Sequence, residues 1–336
     1  MFSHFLRGSR AQVWTIRGAL MAVLSVSLVL SACGAGNTSS TNTNTGPTKI
    51  GNAGTLIPGV FKWGEDSTGG MPYIAPKDAN NPNADYYGFE VDIANAMANL
   101  MGIQQQPTQI TWSDWPQGLQ SQQFDFFMNG LEITQDNLAS AQFSIPYYVY
   151  TQSIVVAANN TTIHSFDDLA GKTVETGTGY KAQQILEDYN ADPSHTSKIN
   201  IVATDNPTPF TDLSSGRVDA MFLDTPIALW YGSGDPSGKY KDVADDLFPG
   251  YYAIGFSPSN KNTPVLMGEI NQAIEELFLN GTLQKIYQTG GAYNVSPSGQ
   301  PVLEKYNMWG PVQKCISNFF TDSHKTTYSD CPNPYA

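Results

Sequence analysis

The sequence predicts an α/β chain in two halves, and three observations carry this. Short apolar strands alternate with helical patterns along most of the chain. An internal echo, Leu119-x-Ser121-x-x-Phe124-Asp125 against Leu213-x-Ser215-x-x-Val218-Asp219, places a helix-to-strand step in each half. Two extended aromatic runs, Phe143 to Tyr150 leaving the first lobe and Tyr251 to Phe256 later in the chain, interrupt this alternation. At 336 residues and 40% apolar, the chain can build two domains with real cores.

Residues 1–33 read as an export signal. Arg7, Arg10 and Arg17 precede an apolar run from Ala19 to Leu30. That run falls short of the ~20 residues a spanning helix needs. Leu30-Ser31-Ala32-Cys33-Gly34 resembles the lipobox of bacterial lipoproteins, in which the signal is cut before the cysteine and the cysteine carries lipid. An uncleaved N-terminal anchor is the alternative. Either way the body of the protein is expected outside the cytoplasmic membrane and held to it. Residues 34–48 are Gly, Ala, Asn, Thr, Ser and one Pro, a composition that cannot order itself by burial and reads as a flexible tether.

In the first half, Val60 to Gly64 reads as a strand that ends in the polar loop Glu65 to Gly70, followed by Met71-Pro72-Tyr73. Residues 75–87 form a polar insertion. Phe89, Ile93, Met97 and Leu100 fall at helical spacing, and Gly102 stops that helix. Thr108 to Trp112 reads as a strand and Trp115 to Gln122 as a short helix. Phe124 to Met128 is a buried strand that ends at the turn signal Asn129-Gly130. Asp136 or Asn137 starts a further short helix.

In the second half, Ser153 to Ala158 is extended and Ser165 to Leu169 is a short capped helix. Lys172 to Glu175 is a strand leading through Thr176-Gly177-Thr178-Gly179 to a helix from Lys181 to Tyr189. Asn200 to Ala203 is a strand and Phe210 to Gly216 a helix. Val218 to Leu223 is a strand that stops at Asp224-Thr225-Pro226. Helices from Pro264 to Leu279 and Thr282 to Tyr287 precede the tail.

The formal charge is −13, and without the arginine-bearing first 32 residues the balance is 14 basic against 30 acidic residues. This argues against nucleic acid and against charge-driven binding to anionic lipid. Of three cysteines, Cys315 and Cys331 lie in the last stretch of chain. In an oxidising compartment they are expected to pair and pin the tail, 311–336, with free thiols or a metal site as alternatives. No catalytic, phosphate-loop or metal motif stands out, and the four histidines are scattered. No cofactor is expected.

Ligands of open α/β sheets sit beyond the carboxyl ends of strands. This places Asn129, Gly130 and Glu132 at a site, with Asp66 and Asp224 at equivalent ends. If the echo reflects two similar units, Asn129-Gly130 and Asp224 face each other across a cleft. Each acid alone reads as a solvated group or a cap. Together Asp66, Glu132 and Asp224 make an acidic pocket that favours an ammonium group. Tyr73 and Trp112 are either packing residues or flat walls with cation–π capacity. The N–H groups of the Gly177-Thr178-Gly179 turn either cap a helix or hold an anion.

Several segments then resemble the extracytoplasmic solute-binding proteins of ABC transporters, polar amino-acid family (family 3). They are Gly88 to Ala94, Trp112 to Asp125, Gly130-Leu131-Glu132-Ile133-Thr134, Phe143-Ser144-x-Pro146-Tyr147-Tyr148, Asp168-Leu169-x-Gly171-Lys172-Thr173-Val174, Asp219-Ala220-x-x-x-Asp224 and Gly281 to Tyr287. The resemblance, over 57–290, implies a two-lobed periplasmic-binding-protein fold of type II. The two crossovers fall at Tyr147–Val155 and Tyr251–Phe256, with lobe 1 at 49–150 plus 255–310 and lobe 2 at 151–254. It implies ligand contacts at Asp66, Tyr73, Trp112, Asn129, Gly130, Glu132, Thr178 and Asp224. In that pattern Asp224 takes an α-ammonium group and the Thr178 N–H meets an α-carboxylate.

One departure is informative. The family usually has an Arg that grips the α-carboxylate where this chain has Asn137. Its loss removes a charge-assisted pair worth about 2–4 kcal/mol, and Glu132 adds negative charge nearby. A cationic or neutral polar solute becomes the expectation, unless Lys62 or Lys181 reaches in. The function implied is a monomeric, lipid-anchored, non-enzymatic solute receptor that feeds a membrane permease. The alternatives are an enzyme resembling the dehydratases on this scaffold, or a sensory lipoprotein that presents its ligand to another protein.

Overall fold

A computed structural model describes residues 50–81, 85–205, 210–289 and 291–303. The export segment 1–33 with Cys33, the tether 34–48, and the tail with Cys315 and Cys331 lie outside the described residues.

The first stretch of chain forms β1 (Val60–Glu65), a small hairpin of β2 (Ala75–Pro76) and β3 (Tyr86–Tyr87), α1 (Phe89–Met101) and β4 (Gln104–Gln109). Then come α2 (Trp115–Gln120), β5 (Phe126–Phe127), α3 (Gln135–Ser140), β6 (Gln142–Phe143) and β7 (Tyr148–Ala157). The second half holds β8 (Thr173–Gly177), α4 (Lys181–Ala191), β9 (Asn200–Thr204), α5 (Thr211–Ser215), β10 (Ala220–Asp224) and α6 (Thr225–Ile227). It closes with β11 (Tyr240–Tyr252), β12 (Gly255–Phe256), α7 (Thr263–Leu279) and α8 (Thr282–Thr289).

These strands make two five-stranded sheets, ordered β4-β1-β5-β12-β6 and β11-β7-β10-β8-β9. In each, three strands run parallel and an antiparallel strand joins beside the third. The same order, edge–first–third–crossover strand, therefore appears twice. Each sheet anchors one lobe. The first lobe's core holds Phe61, Trp63, Phe89, Phe126 and Phe256, all fully buried. The second has its own cluster of Ile154, Val156, Leu169, Val174, Leu186 and Phe222.

The sequence echo has a structural cause. Asp125 and Asp219 each begin the third strand of a lobe. The Asp125 N–H donates to Lys62 O at 2.9 Å, and the Asp125 carboxylate accepts the Lys62 N–H at 2.7 Å. Asp219 makes the same two bonds to Thr173, at 2.8 Å each. Each Asp thus fixes the register of its parallel neighbour. Asp125 is buried and also accepts the Leu56 N–H. Asp125→Ala leaves two backbone donors without their partner. It is expected to lower the unfolding free energy by about 1–3 kcal/mol, read by urea denaturation.

Two segments pass between the lobes and are hydrogen-bonded to each other. The start of β7 pairs with the end of β11, Tyr148 opposite Tyr252 and Tyr150 opposite Gly250. Tyr150 stacks on Tyr252 with ring centres 4.5 Å apart. These are the two crossovers expected of the fold.

Two strands differ from expectation. The second strand is Gln104–Gln109 rather than Thr108 to Trp112. It is an edge strand beside β1 whose polar residues face solvent in alternation, and Trp112 instead opens a short 3-10 turn. β11 begins at Tyr240, well before the expected Tyr251. Its residues are mostly half-exposed and three register shifts interrupt its pairing with β7, so apolar alternation is lost.

Candidate functional site

Asp66 is the organiser of the first lobe's ligand-facing edge. It follows β1 and is 4% exposed. Its Oδ2 accepts the Trp112 N–H at 2.7 Å. Its Oδ1 accepts from Thr68 N at 3.0 Å and Gln109 Nε2 at 3.1 Å. Its own N–H donates to Asn129 Oδ1 at 2.8 Å. A buried carboxylate needs such donors. Meeting them here ties together the loops after β1, β4 and β5, and holds Trp112 and Asn129 in place.

Gly130 follows with φ +61°, in the left-handed region. A Cβ there would stand 2.9 Å from the Tyr73 ring, so Gly130 also gives that ring its place. The Gly130 N–H donates to Glu90 Oε1 at 2.7 Å, and the Tyr147 hydroxyl donates to the same oxygen at 2.5 Å. Glu90 is fully buried beneath the site, and burial pushes its carboxyl up to about 7.

From the Tyr73 ring a hydrogen-bonded chain runs through the crossover into the second lobe. Tyr73 and Tyr252 share a hydroxyl–hydroxyl bond of 2.7 Å, and Tyr252 donates to Asp224 Oδ2. Gln152 Nε2 donates to Asp224 Oδ1 at 2.8 Å. Asp224, at the end of β10, is thus aimed by both crossover segments. Burial raises its carboxyl to about 6, against the pull of the Tyr252 and Gln152 donors.

Glu132 faces Asp224 and is 1% exposed. Burial holds its carboxyl well above the usual range, and the charge of Asp224 adds to this. Both Glu132 oxygens accept the N–H of Lys181, at 3.0 and 2.9 Å, although Lys181 opens α4 on the second lobe. Two further contacts cross between the lobes. Trp112 meets the Tyr180 ring edge-on at 5.1 Å, and the Met71 N–H donates to the Tyr231 hydroxyl at 2.9 Å. The cleft so formed has about 410 Å³ of non-atom space, part of it open to solvent.

Asp66, Tyr73, Trp112, Asn129, Gly130, Glu132 and Asp224 all line this cleft. Two other expected residues do not. The Thr178 N–H donates to Thr204 O at 2.8 Å, because the pairing of β8 with β9 continues into the turn. Asn137 sits in the first turn of α3, capped by Thr134, and its Nδ2 donates to the Glu132 carbonyl at 2.8 Å. It steadies the backbone that carries Glu132. Of the basic candidates, Lys62 Nζ donates to Gln123 O and Lys181 Nζ to Gln184 Oε1. Neither side chain lines the cleft, though the Lys181 charge is felt at Glu132. Gly69, Tyr180, Asp205 and Ile227 line it without having been expected. Tyr180 directly follows the glycine turn, which was the only signal for it.

The lining is four carboxyl groups (Asp66, Glu132, Asp205 and Asp224), three aromatic rings and, among the described residues, no Lys or Arg. Among the described residues no cluster of His, Cys, Asp or Glu is arranged to hold a metal ion, and no helix is long and apolar enough to cross a membrane. Such a lining favours positive charge.

Residues 68–289 match the profile of the bacterial extracellular solute-binding proteins, family 3. The ABC transporter arginine-binding protein 1 of Escherichia coli (strain K12) is 27% identical over 217 residues, 63% of this chain and 84% of that protein. The L-cystine-binding protein TcyJ of the same organism is 28% identical over 277 residues, 80% of this chain and 93% of that protein. Among solved structures, an ancestral arginine-binding protein bound to glutamine superposes with a TM-score of 0.60. It is 30% identical, and the match covers 69% of this chain and 97% of that one. With two sheets of repeated order, two paired crossovers and a cleft between them, the chain belongs to the bacterial extracellular solute-binding proteins, family 3, and has their type II fold.

Proposed function

We propose that this protein is the solute receptor of an ABC importer, a lipoprotein held at the membrane through Cys33. It captures a small polar solute, amino-acid-like or an amine, between lobe 1 (49–150 with 255–310) and lobe 2 (151–254). It then delivers the solute to the permease. It acts as a monomer, with the tail 311–336 pinned by a Cys315–Cys331 disulfide. The observation that carries this reading is the cleft of acids and aromatic rings between two lobes in a chain of this family. The arginine, cystine and glutamine named for its relatives support a solute of amino-acid size.

The test is mass spectrometry of whatever the purified protein retains, followed by calorimetry. The expected result is saturable one-to-one binding, a rise in thermal midpoint with ligand, and recovery of the solute unchanged. A second reading, an enzyme on this scaffold with Glu132 as general acid, has the buried high-pKa carboxyl of Glu132 in its favour. Recovery of a converted product, lost in Glu132→Gln, would establish it over the receptor.

A further inference from the structure

The cleft already holds a carboxylate against a helix start, and it is the protein's own. Glu132 extends from the first lobe, yet both its oxygens take the N–H of Lys181, the first residue of the eleven-residue helix α4. A helix start offers unpaired N–H groups and the positive end of the helix dipole. That is the place where an anionic group of a ligand would be best held. Here it is taken by a buried side chain whose backbone carbonyl is held by Asn137.

The rest of the lining offers an anion nothing in exchange. Among the described residues no lining side chain is basic. A ligand carboxylate displaced from α4 would meet the carboxyl groups of Asp66, Asp205 and Asp224 instead. A cation meets the opposite situation. Asp224 is aimed into the cleft by Tyr252 and Gln152, and Trp112, Tyr180 and Tyr73 present ring surfaces.

We propose that Glu132 is the specificity-determining residue of this cleft. By occupying the start of α4 it sets the ligand class as an organic cation without a carboxylate, a primary amine or a guanidine. This rests on the receptor reading above and narrows it.

The test uses pairs that differ only by the carboxylate: arginine and agmatine, lysine and cadaverine, histidine and histamine. Calorimetry on the mature protein is expected to show at least one amine binding tenfold or more tightly than its amino acid. Glu132→Thr frees the helix start, and is expected to cut that preference at least tenfold by strengthening the amino acid. Glu132→Gln keeps an acceptor for the Lys181 N–H, and is expected to leave the amino acid excluded. The ratio within a pair does not move when a variant is merely less stable, so a folding defect is not mistaken for the effect. Wild-type binding of an amino acid as tightly as its amine overturns the inference and leaves the receptor reading standing, and so does an unchanged ratio in Glu132→Thr. If none of the six binds, the retained solute decides: a carboxylate-free cation supports the inference and an acid overturns it. No bound or retained solute of any kind overturns both readings.

Discussion

Glu65→Gln is expected to raise the thermal midpoint at pH 8 by about 5–10 °C and to leave it nearly unchanged at pH 5. Glu65 ends β1, is fully buried, and neither carboxyl oxygen has a formed hydrogen bond in the protein. Burial first, then the charges of Asp66 and Glu90, push it from 4.5 to about 8, offset only in part by the backbone of Ser67. The folded protein therefore keeps a proton on Glu65 at pH values where the unfolded chain has released it. Stability from this group is full below about 4.5, declines as pH rises, and is lost above about 8. The loss is on the order of 3–5 kcal/mol. Glu90, raised to about 7, adds a smaller loss of the same sign. Gln is the neutral isostere of the protonated acid, so the variant's midpoint should fall less steeply than the wild type's over this range, keeping only the part due to Glu90. Melting curves from pH 5 to 8 that fall in parallel for wild type and variant would contradict the assignment.

Asp224→Asn should weaken binding of a cationic solute by a hundredfold or more. Removing one partner of a buried charge pair costs about 2–5 kcal/mol. The amide retains an acceptor for Tyr252, so the crossover contact and the fold are expected to survive. The pH profile gives a second readout. The Asp224 carboxyl lies near 6 before a cation arrives, and a bound cation holds it ionised. Affinity should therefore fall up to tenfold per pH unit below about 6 and level off above it. Asn at this position removes that contribution. Titrations of the retained solute, or of an amine that binds, at pH 5, 6 and 7 in both proteins check this. A variant that keeps wild-type affinity would show that Asp224 only braces the crossover.

Much of the fold was legible because the residues that build it carry periodic signals. Phe89, Ile93 and Met97 were read as one helix face, all three are fully buried, and Gly102 stops the helix in a left-handed turn. The echo around Asp125 and Asp219 was readable because one bonding device fixes both strand registers. β4 and β11 were not legible, since edge strands with solvated faces need no apolar alternation, and β11 adds register shifts. In the site, Asp66, Asn129, Gly130, Glu132 and Asp224 were readable as cleft-facing because they lie at or just past strand ends. The use made of Glu132 was hidden, since its partner is an N–H 49 residues away on the other lobe. Tyr180 and Ile227 join the cleft only through the approach of the two lobes, which no local pattern encodes.

The laddered crossovers constrain how the molecule works as a machine. Sliding one connector past the other breaks the pairs at Tyr148–Tyr252 and Tyr150–Gly250, whereas flexing the ribbon across its flat side breaks none. The jaws are therefore left with a single soft coordinate, like a strap. Each closing returns Trp112 to Tyr180 and Met71 to Tyr231 in the same alignment, so a surface spanning both lobes differs in shape between the shut and the open molecule.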